Sequence, residues 1–231
     1  MSILNESQEQ RDIELSKITK ISLKKIKSII PKSPDSIRIY DGQSSIKSEN
    51  DILSLYKEYK CLDIIAYLKT LMVTSIESRH RELYSLIRKT SRKVCLDFGS
   101  GVGTHAIALF ENSNEVSILD VPGPLLNFTL DRVRLRGFNP KVYYHDSQLP
   151  DSFFDLVICT DVLEHVYDPV RELARITNCL KRSGILHLQV SSKIKPSSGH
   201  FESSIRKWKI EGPKFLGGNY KKIGETIYRK L

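Results

Sequence analysis

The sequence predicts an α/β fold: a doubly wound, mostly parallel sheet flanked by helices, with a helical extension at its N-terminal side. Three observations predict it. From Lys93 onward, short apolar runs alternate with amphipathic helical patterns, as parallel strands joined by crossover helices require. The first such run lies in Val94–Leu109 (VCLDFGSGVGTHAIAL), where an aspartate and three glycines at alternate positions precede a helix-like pattern. The composition, 40% hydrophobic and 27% charged over 231 residues, is that of a globular chain long enough to bury a core without staples.

The elements follow in order. Residues 1–50 are polar and poor in aromatics, and are expected to be partly helical or disordered. Within them LSKITKISLKKIKSII spaces its apolar residues as one basic amphipathic helix, broken by Pro31 and Pro34. Docking on its own domain is the commoner fate of such a helix, and a membrane surface is the alternative. Residues 51–90 read as a helical cap, and 91–231 as the α/β domain. KVCLDF is strand one and THAIALFEN its helix; EVSILD is strand two and PGPLLNFTLDRVRLRG its helix, closed by Gly137. KVYYH is strand three and SFFDLVICT strand four. DPVRELARITNCLKR reads as a helix with proline near its start and Gly184 past its end, and GILHLQVS is strand five. The remainder predicts one helix and a terminal strand pair.

Several classes are excluded. No apolar run approaches the roughly 20 residues of a membrane-spanning helix. The polar N-terminal stretch, with its acidic residues, fits neither a secretory signal nor a transit peptide. The four cysteines (Cys61, Cys95, Cys159, Cys179) are dispersed, without metal-knuckle or redox spacing. A cytoplasmic protein with reduced thiols is expected. The net charge of +9 is uneven: residues 193–231 hold ten Lys and Arg against three Glu. That surplus of seven can attract RNA, acidic metabolites or an anionic membrane, or serve only as a solvated face.

In an open α/β sheet, ligands bind at the carboxyl ends of strands near the point where strand order reverses. The DFGSGVGT turn stands at such an end. Gly99, Gly101 and Gly103 permit a sharp turn and close backbone approach to a ligand. Their G-x-G-x-G spacing is not the G-x-G-x-x-G of dinucleotide dehydrogenases, which weighs against nicotinamide or flavin. Strand two ends in Asp120, about twenty residues on, where a carboxylate can accept from both ribose hydroxyls and repels a 2′-phosphate. Asp146, closing strand three, can accept from an adenine amino group. Asp161-Val162-Leu163-Glu164-His165 follows strand four and faces the mouth of the same cleft.

Taken together, residues 90–192 resemble the class I S-adenosylmethionine-dependent methyltransferases, particularly the small-molecule type with a D-x-x-E-H segment after strand four. VCLDFGSGVGTHAIAL is similar to the family's first motif, EVSILD to its second and HDSQLP to its adenine-contacting turn. FFDLVICTDVLEHVYDPVRELARITNCLKRSGILHLQV is similar to the fourth motif through strand five. The resemblance implies a Rossmann-like fold and S-adenosyl-L-methionine as cofactor. It implies that Gly99, Ser100 and Gly101 pack their backbone against the methionine part, that Asp97 helps anchor its ammonium, and that Asp120 binds the ribose. Val121 would lie against the adenine face, Asp146 and the Ser147 amide would meet the adenine edge, and Asp161 would lie near the sulfonium. The two prolines of VPGPLL are a departure that stiffens the turn after Asp120.

Methyl transfer needs an aligned nucleophile above all, with a general base where the acceptor carries a proton. His165 and His200 are the candidate catalytic residues; His105 reads as structural or as a cofactor-side contact. Glu164, His165 and His200 hold ligand chemistry, but two histidines and a carboxylate from separate segments are a weak signal, and no metal is expected. The lack of an N-P-P-Y-like or Pro-Cys nucleophile segment favours O-, N- or C-methylation of a small metabolite. An RNA, protein or carrier-bound acceptor remains the alternative, through the basic C-terminal region. So do a nicotinamide-dependent oxidoreductase and a catalytically silent Rossmann-like binding subunit.

Overall fold

A computed structural model describes residues 2–30, 48–58, 64–74, 80–191 and 200–231. Its seven-stranded sheet comprises β1 (Val94–Phe98), β2 (Glu115–Asp120), β3 (Lys141–Tyr144), β4 (Phe154–Thr160), β5 (Leu180–Gln189), β6 (Tyr220–Lys222) and β7 (Ile227–Lys230). The strand order is β3-β2-β1-β4-β5-β7-β6. Strands β1 to β5 run parallel, and β7 enters antiparallel between β5 and β6. Strand order reverses between β1 and β4, so the carboxyl ends of these two strands frame the crevice where ligands bind in such sheets.

A parallel sheet covered on both faces needs strands that are apolar throughout, because alternate residues point to opposite sides. In β1, Leu96 and Phe98 enter one core with Val157, Cys159, Leu173 and Ile176, whereas Cys95 joins Ile107, Ile118, Leu156 and Ile158 in the other. Helices α5 (Arg81–Lys89), α6 (Thr104–Glu111) and α7 (Pro124–Leu135) serve the second core. Helices α8 (Pro169–Cys179) and α9 (Glu202–Asn219) serve the first. Between β4, β5 and β7, buried His187 bridges the hydroxyls of Thr160 (3.2 Å) and Thr226 (3.0 Å). Burial pushes this imidazole down to about 4.

At the N-terminal side, α1 (Gln8–Thr19) and α2 (Leu23–Ser28) replace the single helix expected over LSKITKISLKKIKSII. The chain breaks at Lys20, whose φ of 61° is left-handed, and restarts at Ser22, which caps α2 by accepting from the Lys25 N–H. The bend lets Leu15 and Ile26 meet Val102, Phe128 and the Leu68 and Met72 side chains of α4 (Ile64–Thr74) in a third core. Buried Lys69 of α4 donates to the carbonyls of Ile26 and Ile29, both at 3.0 Å, and pairs with Asp12 at 3.0 Å. Helix α3 (Glu49–Glu58) packs against α7. The breaks expected at Pro31 and Pro34, and Cys61, lie outside the described residues.

Two further boundaries differ from expectation. The α8 helix stops at Cys179, and Leu180-Lys181-Arg182 belongs to β5. Leu180 is fully buried opposite Phe154, a placement that a continued helix would forfeit. The register then shifts between Phe154 and Leu156, and Ser183, at φ 61°, and Gly184 lie in the irregular stretch. The last helix, α9, runs through Gly212 and Pro213 to Asn219. The sequence marks these residues as breakers.

A guanidinium is among the groups sealed inside. Arg132 of α7 is 0% exposed, and its Nε donates to Glu14 of α1 at 2.8 Å. Its Nη1 donates to the Val102 carbonyl (2.8 Å) and the Thr104 hydroxyl (2.9 Å). Arg136 donates to the other Glu14 oxygen (2.6 Å) and to Glu6. Removing one partner of a buried ion pair leaves an uncompensated charge, at a cost of about 3–5 kcal/mol. Glu14→Ala is therefore expected to lower unfolding free energy by that order in urea titration. A loss below about 1 kcal/mol would show that the pair behaves as a surface bridge.

Candidate functional site

The turn after β1 is built on positive φ. Gly99, Gly101 and Gly103 have φ of 75°, 54° and 73°, a region that side-chain-bearing residues rarely occupy. Their surroundings differ. A Cβ on Gly99 would stand 2.4 Å from Val162 Cγ2, and one on Gly103 would stand 2.8 Å from Thr129 Cγ2. A Cβ on Gly101 would meet nothing within 4 Å. Two of the glycines thus close protein against protein, and the middle one faces open space. Thr129 also donates its hydroxyl to the Gly101 carbonyl.

Two carboxylates flank this turn. Asp97, 1% exposed at the end of β1, accepts from the Ala106 N–H of α6 at 3.0 Å. Burial pushes its carboxyl up to about 7; the Ala106 N–H opposes the shift and the charge on Asp120 adds to it. Asp120, half-buried at the end of β2, accepts from the Gly101 N–H (3.0 Å) and Ser100 hydroxyl (3.2 Å) on one oxygen. Its other oxygen accepts from the Val121 N–H at 2.8 Å. Burial raises Asp120 as well, against the N–H groups of Val121, Gly101 and Ser100 and the Ser100 hydroxyl. A carboxylate has roughly four acceptor positions. The rotatable Ser100 hydroxyl, the longest of the three bonds, is the donor that an incoming ligand hydroxyl can replace.

The remaining predicted residues lie at neighbouring strand ends. Val121 follows Asp120 directly and is half-buried. Asp146 is exposed in the turn after β3, beyond the strand's end at Tyr144. The Ser147 N–H donates to the Tyr144 carbonyl (2.9 Å), its hydroxyl accepts from the Tyr144 N–H (2.9 Å), and its carbonyl accepts from Arg175 (3.1 Å). Asp161, after β4, is left-handed at φ 56°, and its N–H donates to the Gln189 carbonyl of β5 at 2.9 Å. That turn throws Val162 onto Gly99 and starts a short 3-10 turn, Leu163–His165.

On that turn Glu164 is fully buried, with Oε1 accepting from the Ser191 N–H at 2.8 Å. Its carbonyl accepts from the Phe201 N–H at 3.0 Å, which brings the start of α9 alongside. The His165 and His200 rings consequently meet edge to face, centroids 4.8 Å apart and planes at 86°. His105 is elsewhere, packed against His80 (5.5 Å) and Tyr84 (6.0 Å) on the α5 side. Val162 and Thr129 are the residues that sequence reasoning misses: neither an apolar residue inside D-V-L-E-H nor a threonine within a helix announces a contact with a distant glycine.

Residues 96–188 match a family described as Methyltransferase domain. The uncharacterized protein MJ0638 of Methanocaldococcus jannaschii is 30% identical over 183 residues, covering 73% of this chain and 77% of that protein. The uncharacterized protein syc1184_c of a Synechococcus species is 31% identical over 102 residues, 42% of this chain, and the chain spans only 24% of that relative's length. Among solved structures, the CurJ carbon methyltransferase superposes with a TM-score of 0.54 at 11% identity, over 73% of this chain and 58% of that one. That likeness is one of fold.

The buried Asp97 makes a prediction about the ligand-free protein. An unfolded aspartate ionises near 3.9, while the folded one holds its proton to about 7. Across that window the folded chain binds more protons, so ionising Asp97 removes stability as pH rises from about 4 to about 7. His187, lowered to about 4 by burial, has the opposite slope, losing stability as pH falls below its ordinary value. Only the difference between variants isolates Asp97. Asp97→Asn is expected to be more stable than the parent at pH 8 by on the order of a few kcal/mol, the advantage fading towards pH 4. Thermal melts across that range test it, and a difference independent of pH would overturn it.

Proposed function

We propose that this chain, whose residues 96–188 match a methyltransferase domain, is a class I S-adenosylmethionine-dependent methyltransferase that methylates a small-molecule acceptor at an O, N or C atom. The observation that supports the cofactor assignment is the open space at Gly101, whose N–H donates to Asp120 in the turn that follows Asp97. A turn with open space at its middle glycine, with Asp120 bonded to its backbone and Asp97 just before it, fits a ligand bearing positive charge and a ribose. When bound, S-adenosyl-L-methionine supplies an electrophilic methyl group on a sulfonium.

In this reading the backbone of Gly99, Ser100 and Gly101 lies along the methionine part, and Asp97 holds its ammonium. Asp120 receives the ribose hydroxyls after Ser100 rotates away, and Val121 packs on the adenine face. Asp146 and Ser147 meet the adenine edge, with the Ser147 N–H exchanging its Tyr144 carbonyl for the base. Asp161 stands near the sulfonium. His165 and His200 form the acceptor side, where alignment of nucleophile and methyl carbon supplies up to about 7–11 kcal/mol of the barrier reduction. His200 is only 8% exposed, and such a recessed group suits a small acceptor. The surplus of seven positive charges in residues 193–231 favours an RNA or acidic protein acceptor as the second reading.

Calorimetry with S-adenosylhomocysteine tests the cofactor assignment. Asp120→Ala removes a charged acceptor of hydrogen bonds and is expected to weaken binding about 10–100-fold. Unchanged affinity would sink the ribose assignment. Gly101→Ala meets no protein atom, so it should fold with a backbone strain of about 1–2 kcal/mol, yet bind at least tenfold (~1.4 kcal/mol) more weakly. Normal binding by that variant would show that the open space is not ligand volume. For the acceptor, incubation with methyl-labelled cofactor and cell extract should place label in the small-molecule fraction; label in RNA or protein would overturn that choice.

A further inference from the structure

We infer that Glu164, His165 and His200 form a binding site for one divalent first-row transition-metal ion on the acceptor side of the cleft. One ligand atom from each residue lies within 4.8 Å of the other two. Metal–nitrogen and metal–oxygen bonds of about 2.0–2.2 Å require ligand atoms no more than about 4.4 Å apart. Small side-chain rotations therefore close the set. The backbone fixes the three residues in place: Glu164 and His165 are consecutive on the 3-10 turn, and the Phe201 N–H bond to the Glu164 carbonyl holds His200 beside them.

The donor set has a recognisable chemistry. Two imidazoles and one carboxylate suit zinc, iron, nickel or copper better than magnesium or calcium, which favour oxygen-only cages. Three protein ligands leave coordination positions open, as in catalytic rather than structural sites. A fully buried carboxylate with one oxygen held by the Ser191 N–H is oriented as ligating carboxylates are, by a hydrogen-bond donor behind it. Crossed imidazole planes, at 86°, let a nitrogen of each ring approach a common point without stacking. On the methyl-transfer reading above, on which this role rests, such an ion would hold an oxygen of the acceptor and lower its pKa.

Cobalt(II) is the probe, because its visible absorption reports nitrogen and oxygen ligation without any turnover. Untagged protein freed of metal by chelation is expected to bind one equivalent with a saturable visible band. His200→Ala and His165→Ala should each weaken that binding at least 10–100-fold, the loss typical of disturbing even outer-shell partners. Glu164→Gln, which preserves shape but not charge, should weaken it too. S-adenosylhomocysteine binding, measured on the same samples, separates the two proposals and reports folding. Retained cofactor binding without a cobalt band, or a band that survives both histidine variants, would overturn the metal site alone. A histidine-dependent band without cofactor binding would instead overturn the cofactor reading.

Discussion

Everything in the cleft depends on a contact that leaves no room for a methyl group. Val162 occupies the space where a Cβ on Gly99 would stand, at 2.4 Å, so the ends of β1 and β4 touch directly. Gly99 reaches the contact through left-handed backbone at φ 75°, and Asp161, the residue before Val162, is left-handed too at φ 56°. The glycine pays nothing for that conformation; the aspartate does, and its N–H bond to the Gln189 carbonyl helps hold it there. On one side of the contact lie Asp97, Gly101 and Asp120. On the other lie Glu164, His165 and, through the Phe201 bond, His200. The glycine turn and the Glu164–His165–His200 cluster are thus joined by a van der Waals contact at the topological switch point.

The far side of the glycine turn is held by a charge. Arg132 donates to the Val102 carbonyl and the Thr104 hydroxyl, groups at the end of the turn and the start of α6, and it is compensated by Glu14 from α1. Val102 itself packs with Leu15, Ile26 and Met72. The N-terminal helices thus pack behind the glycine turn, through Val102 and the Arg132–Glu14 pair. A buried ion pair is a weak contributor to net stability, but it is strict about geometry, because either partner alone is costly. Here that strictness fixes the turn that the middle glycine leaves open.

How far the sequence could be read follows from which interactions are local. Strands β1, β2 and β4 and their order were legible because apolar runs and crossover spacing are one-dimensional signals. The site's location followed, since Asp97, Asp120 and Asp161 stand at strand ends. The helix break at Lys20 was not legible: LSKITKISLKKIKSII keeps helical spacing across it, and only the Ser22 cap hinted at a restart. The α8–β5 boundary was misplaced because Leu180 serves the sheet rather than the helix, a tertiary demand that overrides a pattern continuous through Lys181 and Arg182. Val162 and Thr129 could not be found at all, since their partners are glycines distant in sequence. The meeting of His165 with His200, 35 positions later, depends on a backbone bond that no periodicity encodes.

The electrostatics of the cleft suggest why its parts are arranged at some cost to the fold. Asp97 and Asp120 are both raised by burial, and each feels the other or the same low-dielectric surroundings. A protein selected for stability alone would replace Asp97 with a neutral residue able to accept the Ala106 N–H. Retaining the carboxylate makes sense where a cation arrives to share the site, because the destabilisation of the empty cleft becomes affinity when the charge is matched. The same logic extends across the Gly99–Val162 contact. Glu164 is a second carboxylate withdrawn from water, facing two imidazoles rather than a ligand cradle. Both sides of the cleft hold a buried carboxyl group with a backbone N–H donor: Asp97 with that of Ala106, and Glu164 with that of Ser191.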